Sequence, residues 1–185
     1  MDLIEAIYTR RAAREFTAEP VARRMLEDLV DAAIQAPSAI NAQPWCFTVV
    51  QNAALLDRMS TRAKAHLRST LDLGLAPKAM LEQLDAPYFH IFHHAPALVL
   101  ISARAGEWAT EDAALAAENF MLAACGQGLG TCWIGLAQNW LQTEEGRQAV
   151  GLPRGYLPVA PIIVGHPREP APPIPRNPPD IRWID

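Results

Sequence analysis

Between Ala113 and Cys125 the chain is apolar throughout except for Glu118 and Asn119, within a stretch of helical character over residues 111 to 127. A helix apolar nearly all round must be enclosed, either deep in one domain or at a subunit interface. The run Ala97–Ser102, Ala-Leu-Val-Leu-Ile-Ser, lacks polar alternation and predicts a strand buried on both faces. Two further strands are expected at Phe47–Val50 and Thr131–Leu136, and a last one at Pro161–Val164, whose proline suggests that the run begins at an irregularity or an edge. Helices and strands mix without a strict βαβ rhythm. An α+β sheet flanked by helices therefore fits better than a doubly wound fold.

The remaining elements are shorter. Residues 2–11 read as a helix with Asp2 as its N-cap and Leu3, Ile4 and Ile7 on one face. A second helix is expected over Pro20–Gln35, with Val21, Met25, Leu29 and Ala33 at i, i+4 spacing. Asn52 is placed to cap a third through Leu55, Leu56 and Met59, and Thr143 to cap a short one ending at Val150. From Ala63 to His94 helical fragments alternate with Gly74, Pro77 and Pro87, which reads as a mobile, lid-like excursion of the kind that covers binding sites. The proline-rich tail from Pro167 to Asp185 extends rather than packs, and Ile181, Trp183 and Ile184 could anchor it on a partner.

The chain of 185 residues is long enough for one well-buried domain and short for two, so residues 1–185 are read as a single domain. Half of the residues are hydrophobic and 19% are charged, a globular balance. A formal net charge of -4 argues against nucleic acid as the main partner, since phosphate backbones favour basic faces. Cys46, Cys125 and Cys132 show no paired spacing, and the N-terminus lacks the basic start and apolar core of a signal peptide, so a reduced, cytoplasmic protein is expected. No apolar stretch reaches the ~20 residues of a membrane span, so no membrane partner is expected.

Three clusters carry chemistry. In Ala36-Pro37-Ser38-Ala39-Ile40-Asn41-Ala42-Gln43-Pro44-Trp45, two prolines stiffen a loop that displays the neutral hydrogen-bonding side chains of Ser38, Asn41 and Gln43. That loop suits a flat, polar-edged ligand, and it equally suits a polar turn ending a helix. Arg10, Arg11 and Arg14 form either a solvated cationic helix terminus or an anion cradle, to which Arg176 would be a distant contributor. The glycines of Gly126-Gln127-Gly128-Leu129-Gly130 follow a helix and precede a strand, the reverse of a dinucleotide fingerprint. They read instead as a helix terminus, and Gly135 beyond them permits close backbone approach to a ligand. His90, His93 and His94 include an i, i+4 pair, yet no carboxylate or cysteine lies close in sequence to complete a metal site, and none is expected. Glu118 is a possible buried acid or a satisfied interface residue. Trp45 and Trp133 read as core anchors.

Taken in order, the arginine segment, Ala-Pro-Ser-x-x-Asn-x-Gln-Pro-Trp-x-Phe, Gly-Leu-Gly-Thr-x-Trp-x-Gly and Gly165-His166-Pro167 with a following arginine resemble the FMN-dependent nitroreductase family over nearly the whole chain. The resemblance implies a three-layer α+β sandwich, with a mixed, largely antiparallel sheet and an intertwined homodimer holding FMN in its interface. It implies that Arg10, Arg11 and Arg176 hold the FMN phosphate and ribityl chain, and that Arg14 lies at the pyrimidine edge of the ring. Pro37, Ser38, Ala39, Asn41 and Gln43 would reach the same flavin from the other subunit, and the amides of Ile134 and Gly135 would approach flavin N5. The implied activity is a ping-pong exchange in which NADH or NADPH reduces FMN and a nitroaromatic, quinone or related acceptor then takes the electrons. Dehalogenation, flavin breakdown, or a non-catalytic FMN redox sensor or carrier are the alternatives on the same fold. Ala12 stands where the family usually has serine, so one hydroxyl to the phosphate is missing. No side-chain acid or base is required of this chemistry.

Overall fold

The strand Ala97–Arg104 (β2) is buried from Ala97 through Ala103, and its side chains part by parity, as the pleat requires. Leu98 and Leu100 enter one hydrophobic core, while Ala97, Val99, Ile101 and Ala103 enter a second on the opposite face. In the computed structural model, which describes residues 1–71 and 78–184, β2 lies inside a four-stranded sheet. With Trp45–Val50 (β1), Gly130–Trp133 (β3) and Tyr156–Gly165 (β4), the order is β1-β2-β4-β3 and every ladder is antiparallel. The parallel element of the expected mixed sheet is one isolated bridge between Ala12 and Thr131.

Helices cover both faces, giving three layers. One core joins the sheet to Ala53–Thr70 (α3), Gln138–Gln142 (α6) and Glu144–Ala149 (α7). The other joins it to Arg23–Ala33 (α2) and Ala109–Gly126 (α5). Leu3–Thr9 (α1) rests on α5, and Lys78–Asp85 (α4) is tied to α3 by the Arg68–Asp85 ion pair. The three expected N-caps form: Asp2 accepts from the Glu5 amide at 2.8 Å, Asn52 from Leu55 at 3.0 Å and Thr143 from Gly146 at 3.1 Å. No helix among the described residues is long and apolar enough to cross a membrane.

Several boundaries differ from expectation, each for a physical reason. β3 stops at Trp133 rather than Leu136 because the opposite residue, Pro161, has no N–H to return. The Ile134 amide makes the last bond, to the Pro161 carbonyl at 2.8 Å, and the chain then turns into a 3-10 segment at Gly135–Ala137 and the unforeseen α6. β4 begins at Tyr156, not Pro161, and absorbs Pro158 and Pro161 through a register shift opposite Ile101/Ser102. α2 is shorter than Pro20–Gln35, and Val21 is buried from an extended segment before it.

The expected 63–94 excursion is narrower than its sequence suggests. Residues 63–70 complete α3, with Ala63 and Leu67 in the core; Gly74 and Pro77 lie outside the described residues. Beyond α4, Ile91 and Phe92 are fully buried, so this turn is stitched into the core. α5 is enclosed only in part: Ala113, Ala116, Ala117, Phe120 and Ala124 form its buried stripe, while Leu115 is 46% exposed. Glu118 is not a buried acid; it is half-exposed, with Oε1 3.7 Å from Arg10 Nε.

The arginine-bearing segment docks beside β3 only because Gly130 has no side chain. A Cβ there would stand 2.6 Å from the Ala13 Cβ and 3.3 Å from that of Pro167. Gly130→Ala should cost about 1–3 kcal/mol, as overpacking a tight site does, read as a lowered urea midpoint at unchanged slope.

Candidate active site

α1 ends at Thr9 because Arg10 turns to φ -53°, ψ 128°, and the chain then runs extended along the sheet edge. The Ala13 amide donates to the Thr131 carbonyl at 2.9 Å, and Thr17 to His166 at 2.9 Å. Ala13 and Phe16 point into the core. Of the three arginines, only Arg10 caps a helix, so the solvated-terminus reading does not cover the cluster.

Arg10 and Arg11 line a cleft of about 670 Å³ with Thr9, Thr131, His166 and Arg168. Glu169 also reaches it, and Glu118 lies beside Arg10, so the cationic surplus rests chiefly on Arg11 and Arg168. Arg168 is fixed by donating from Nε to the Phe16 carbonyl at 2.9 Å. Arg11 donates from Nη1 to the Arg10 carbonyl at 2.7 Å, but its Nε is buried and has no hydrogen-bond partner among the described residues. A buried charged donor without an acceptor costs roughly 1–3 kcal/mol or more. Arg176 sits on the exposed tail and does not line the cleft; the tail arginine found there is Arg168.

Arg14 is exposed and faces a different group of residues, Cys132 and His93. Burial pushes the Cys132 thiol up, against the opposing pull of the Arg14 and Arg10 guanidiniums. Burial likewise pushes His93 down, and the Arg14 charge adds to that. With the Ile134 amide committed to Pro161, the exposed Gly135, where an added Cβ would meet nothing within 4 Å, offers the open backbone at this end of β3.

The Pro37–Gln43 loop lies elsewhere. None of its residues lines the arginine cleft; Ala39, Ile40 and Gln43 border a separate 360 Å³ depression with Trp108 and Tyr156. Ile40, Asn41 and Gln43 have φ of 49°, 56° and 46°, left-handed values that are costly for a β-branched residue such as Ile40. Polar anchors hold this shape. The buried Asp112 carboxylate accepts from the Ala39 amide at 2.9 Å, Ser38 Oγ accepts from the Gln43 amide at 2.9 Å, and Gln43 Nε2 donates to Asn41 Oδ1 at 3.2 Å. Ile40 is wholly exposed, so the strained loop is presented outward from its own chain.

The Nitroreductase family profile matches residues 7–166. The chain belongs to this family. A putative NADH dehydrogenase/NAD(P)H nitroreductase of Methanothermobacter thermautotrophicus is 28% identical over 175 residues, covering 91% of this chain and 79% of that protein. An FMN reductase [NAD(P)H] of Bacillus subtilis is 28% identical over 186 residues, covering 96% and 70%. A nitroreductase with bound FMN from Bacteroides fragilis superposes with a TM-score of 0.84 at 26% identity, covering all of both chains. An iodotyrosine deiodinase bound to FMN and 3-iodo-L-tyrosine superposes at 0.76 with 25% identity, again over both whole chains.

Arginines and loop were both expected from sequence, but their supports were not. Asp112 lies 73 residues from the amide it anchors, and an acidic residue in a helix's first turn ordinarily reads as a dipole partner. Within this nitroreductase-family fold, Asp112→Ala should cost about 1.5–3 kcal/mol by freeing the Ala39 amide. Asp112→Asn, which keeps an acceptor, should recover part of that loss in the same denaturant titration.

Proposed function

We propose that this chain is an FMN-dependent oxidoreductase that passes electrons from NADH or NADPH to nitroaromatics, quinones or related acceptors in a ping-pong exchange. The observation carrying this reading is the Arg11 guanidinium, which lines a cleft together with Arg10 and Arg168. Its charge and fork geometry fit a phosphate oxygen, and the cleft has the volume for the group's polar end. FMN-bound and NAD(P)H-named relatives favour FMN over other phosphates.

When bound, FMN would supply hydride acceptance and donation at its ring. The chain's own task is to bind, orient and polarise. Arg10, Arg11 and Arg168 would hold the phosphate, compensating for the hydroxyl absent at Ala12. Arg14 would set a fixed positive charge at the pyrimidine edge, where reduction accumulates negative charge. Gly135 would offer its amide near N5, and Ile134 would position it through its bond to Pro161.

The loop residues Pro37, Ser38, Ala39, Asn41 and Gln43 would serve the flavin of the other subunit in a homodimer. Their separation from the arginine cleft in one chain supports this division. So does the apolar surface left uncovered: Leu3, Ile4 and Ile7 of α1, Leu115 of α5, and the tail residues Trp183 and Ile184, 84% and 96% exposed. β1 is one of the sheet's two edge strands, and a partner's tail would pair along it. A second reading, reductive dehalogenation, is favoured by the likeness to the deiodinase. Iodide release from 3-iodo-L-tyrosine without nitroaromatic turnover would select it.

Purified protein should be yellow, bind FMN and oxidise NADH or NADPH when an acceptor is added; a colourless product that does neither would sink the proposal. Arg14→Ala and Asn41→Ala should each weaken FMN binding by about 10- to 100-fold, the loss of a charge-assisted or well-placed hydrogen bond. A mixed dimer of the two single variants should recover one full-affinity site, because both lesions then fall on the other flavin. Two equally weakened sites would mean that each flavin is held within one subunit.

A further inference from the structure

The turn after α4 is gripped by one polar face of α3. Asp57, Ser60 and Lys64, spaced three and four apart, fall on that face. Lys64 Nζ donates to the Phe89 carbonyl at 2.7 Å, Ser60 Oγ accepts from the buried Ile91 amide at 3.0 Å, and Asp57 Oδ1 lies 3.2 Å from His90 Nε2. At the centre of the turn is the His90 ring, its side chain 9% exposed. His90 Nδ1 accepts two backbone amides, from Phe92 at 3.1 Å and from His94 at 3.4 Å. The His94 ring stacks on it, with centroids 4.3 Å apart. These bonds hold His93 and His94 at φ 51° each, a left-handed geometry that neither residue would keep unaided. They also hold His93, edge-on against Phe89, within the electrostatic reach of Arg14.

Asp57, His90 and His94 bring three ligand atoms within 4.8 Å of one another, including a carboxylate that the sequence alone does not show nearby. A metal does not fit them. A neutral imidazole has one lone pair, and that of His90 lies at Nδ1, engaged by two amides; its proton is therefore on Nε2. Nε2 makes no aligned hydrogen bond among the described residues, although Asp57 Oδ1 lies 3.2 Å away. The same bookkeeping makes the turn sensitive to protonation. An imidazolium has no lone pair, so a proton on Nδ1 displaces both amides and removes what holds the left-handed residues.

We propose that His90 is a positioning residue of the flavin site: neutral, it latches the 90–94 turn so that His93 stays within reach of the Arg14 charge, and protonated, it releases that turn. The groups facing His90 are Asp57 and Lys64 of α3 and His94 of the turn; those facing His93 are Arg14 and His94. Burial, then the neighbouring His94, lower the pKa of His90, with Asp57 pulling the other way. A lowered value in the closed turn means that closure is undiminished above the ordinary imidazole range and is lost as pH falls through and below it. The inference rests on the FMN site proposed above.

Two measurements test it on the full-length protein. In ¹⁵N-histidine spectra, His90 should show the Nε2–H tautomer at pH 8; a proton on Nδ1 would overturn the latch whether or not FMN binds. FMN dissociation constants would then be followed by flavin fluorescence from pH 8 to 5.5 for the wild type, His90→Asn and Asp57→Asn. Asn Oδ1 can replace the Nδ1 acceptor but does not titrate. The FMN phosphate itself titrates near pH 6, so the quantity read is the ratio between variants. The wild-type constant should rise relative to His90→Asn by up to tenfold for each unit that closure lowers the His90 pKa. Asp57→Asn removes the charge that favours imidazolium in the closed turn, so its constant should rise further than that of the wild type over the same pH range. Superimposable profiles for wild type and His90→Asn, or a shallower rise in Asp57→Asn than in the wild type, would refute the proposal. Failure of every variant to bind FMN at pH 8 would instead overturn the proposed function and, with it, the role of the turn at a flavin site.

Discussion

The close approach of residues 10–17 to the β3–β4 end of the sheet is the constraint on which the arginine side of the site depends. That approach exists at two glycines. A Cβ on Gly130 would enter Ala13, and one on Gly165 would come within 2.8 Å of Phe16 and nearer still to Pro96. With both absent, the segment is bonded on two sides: Ala13 donates to Thr131, Thr17 to His166, and the Arg168 amide to the Glu15 carbonyl. Ala13 and Phe16 are buried, while Arg10, Arg11 and Arg14 remain at or near the surface. Rigid backbone thus supports the charges, where three arginines on a fraying helix end would spend most of their binding free energy on being ordered.

The two strained segments share one construction. Residues 40, 41 and 43, and again 93 and 94, hold non-glycine backbone in the left-handed region, and each group is fixed by a helix remote in sequence, α5 through Asp112 and α3 through Asp57, Ser60 and Lys64. Strain of about 1–3 kcal/mol per residue persists only where surrounding contacts over-determine it. Ile40 is wholly exposed in one segment, and His93 of the other packs edge-on against Phe89 within reach of the Arg14 charge. The scaffold is fitted before any ligand arrives, which lowers the ordering cost of binding.

Much of the fold was legible because burial leaves a pattern. The unbroken apolar run at 97–102 does lie inside the sheet, and Asp2, Asn52 and Thr143 do cap helices. Failures cluster where tertiary context overrides local signal. Pro161 read as the irregular or edge start of the last strand, yet β4 runs through Pro158 and Pro161, because a register shift and the end of β3 remove the need for their missing donors. The 63–94 stretch read as a loose cover because prolines and a glycine interrupt it, and periodicity does not reveal that Ile91 and Phe92 are wholly buried. At the site, the arginines and the Pro37–Trp45 loop were visible as motifs. Asp112 and the His90 turn were not, because their partners lie 73 and about 30 residues away in the chain.

α5 carries the last step. Its composition demands enclosure, and within one chain only a single stripe achieves it; Leu115 on the outer side and the apolar residues of α1 beside it stay in contact with water. Burying the exposed half of Leu115 alone would contribute roughly 1 kcal/mol per subunit, and a twofold contact doubles the benefit because each residue meets the same surface on its partner. The same helix carries Asp112, which fixes the strained loop, in its first turn, and it ends at Gly126, next to the arginine cleft. A partner seated on α5 would therefore act on both halves of the candidate site at once. Cofactor binding and association become two readings of one helix.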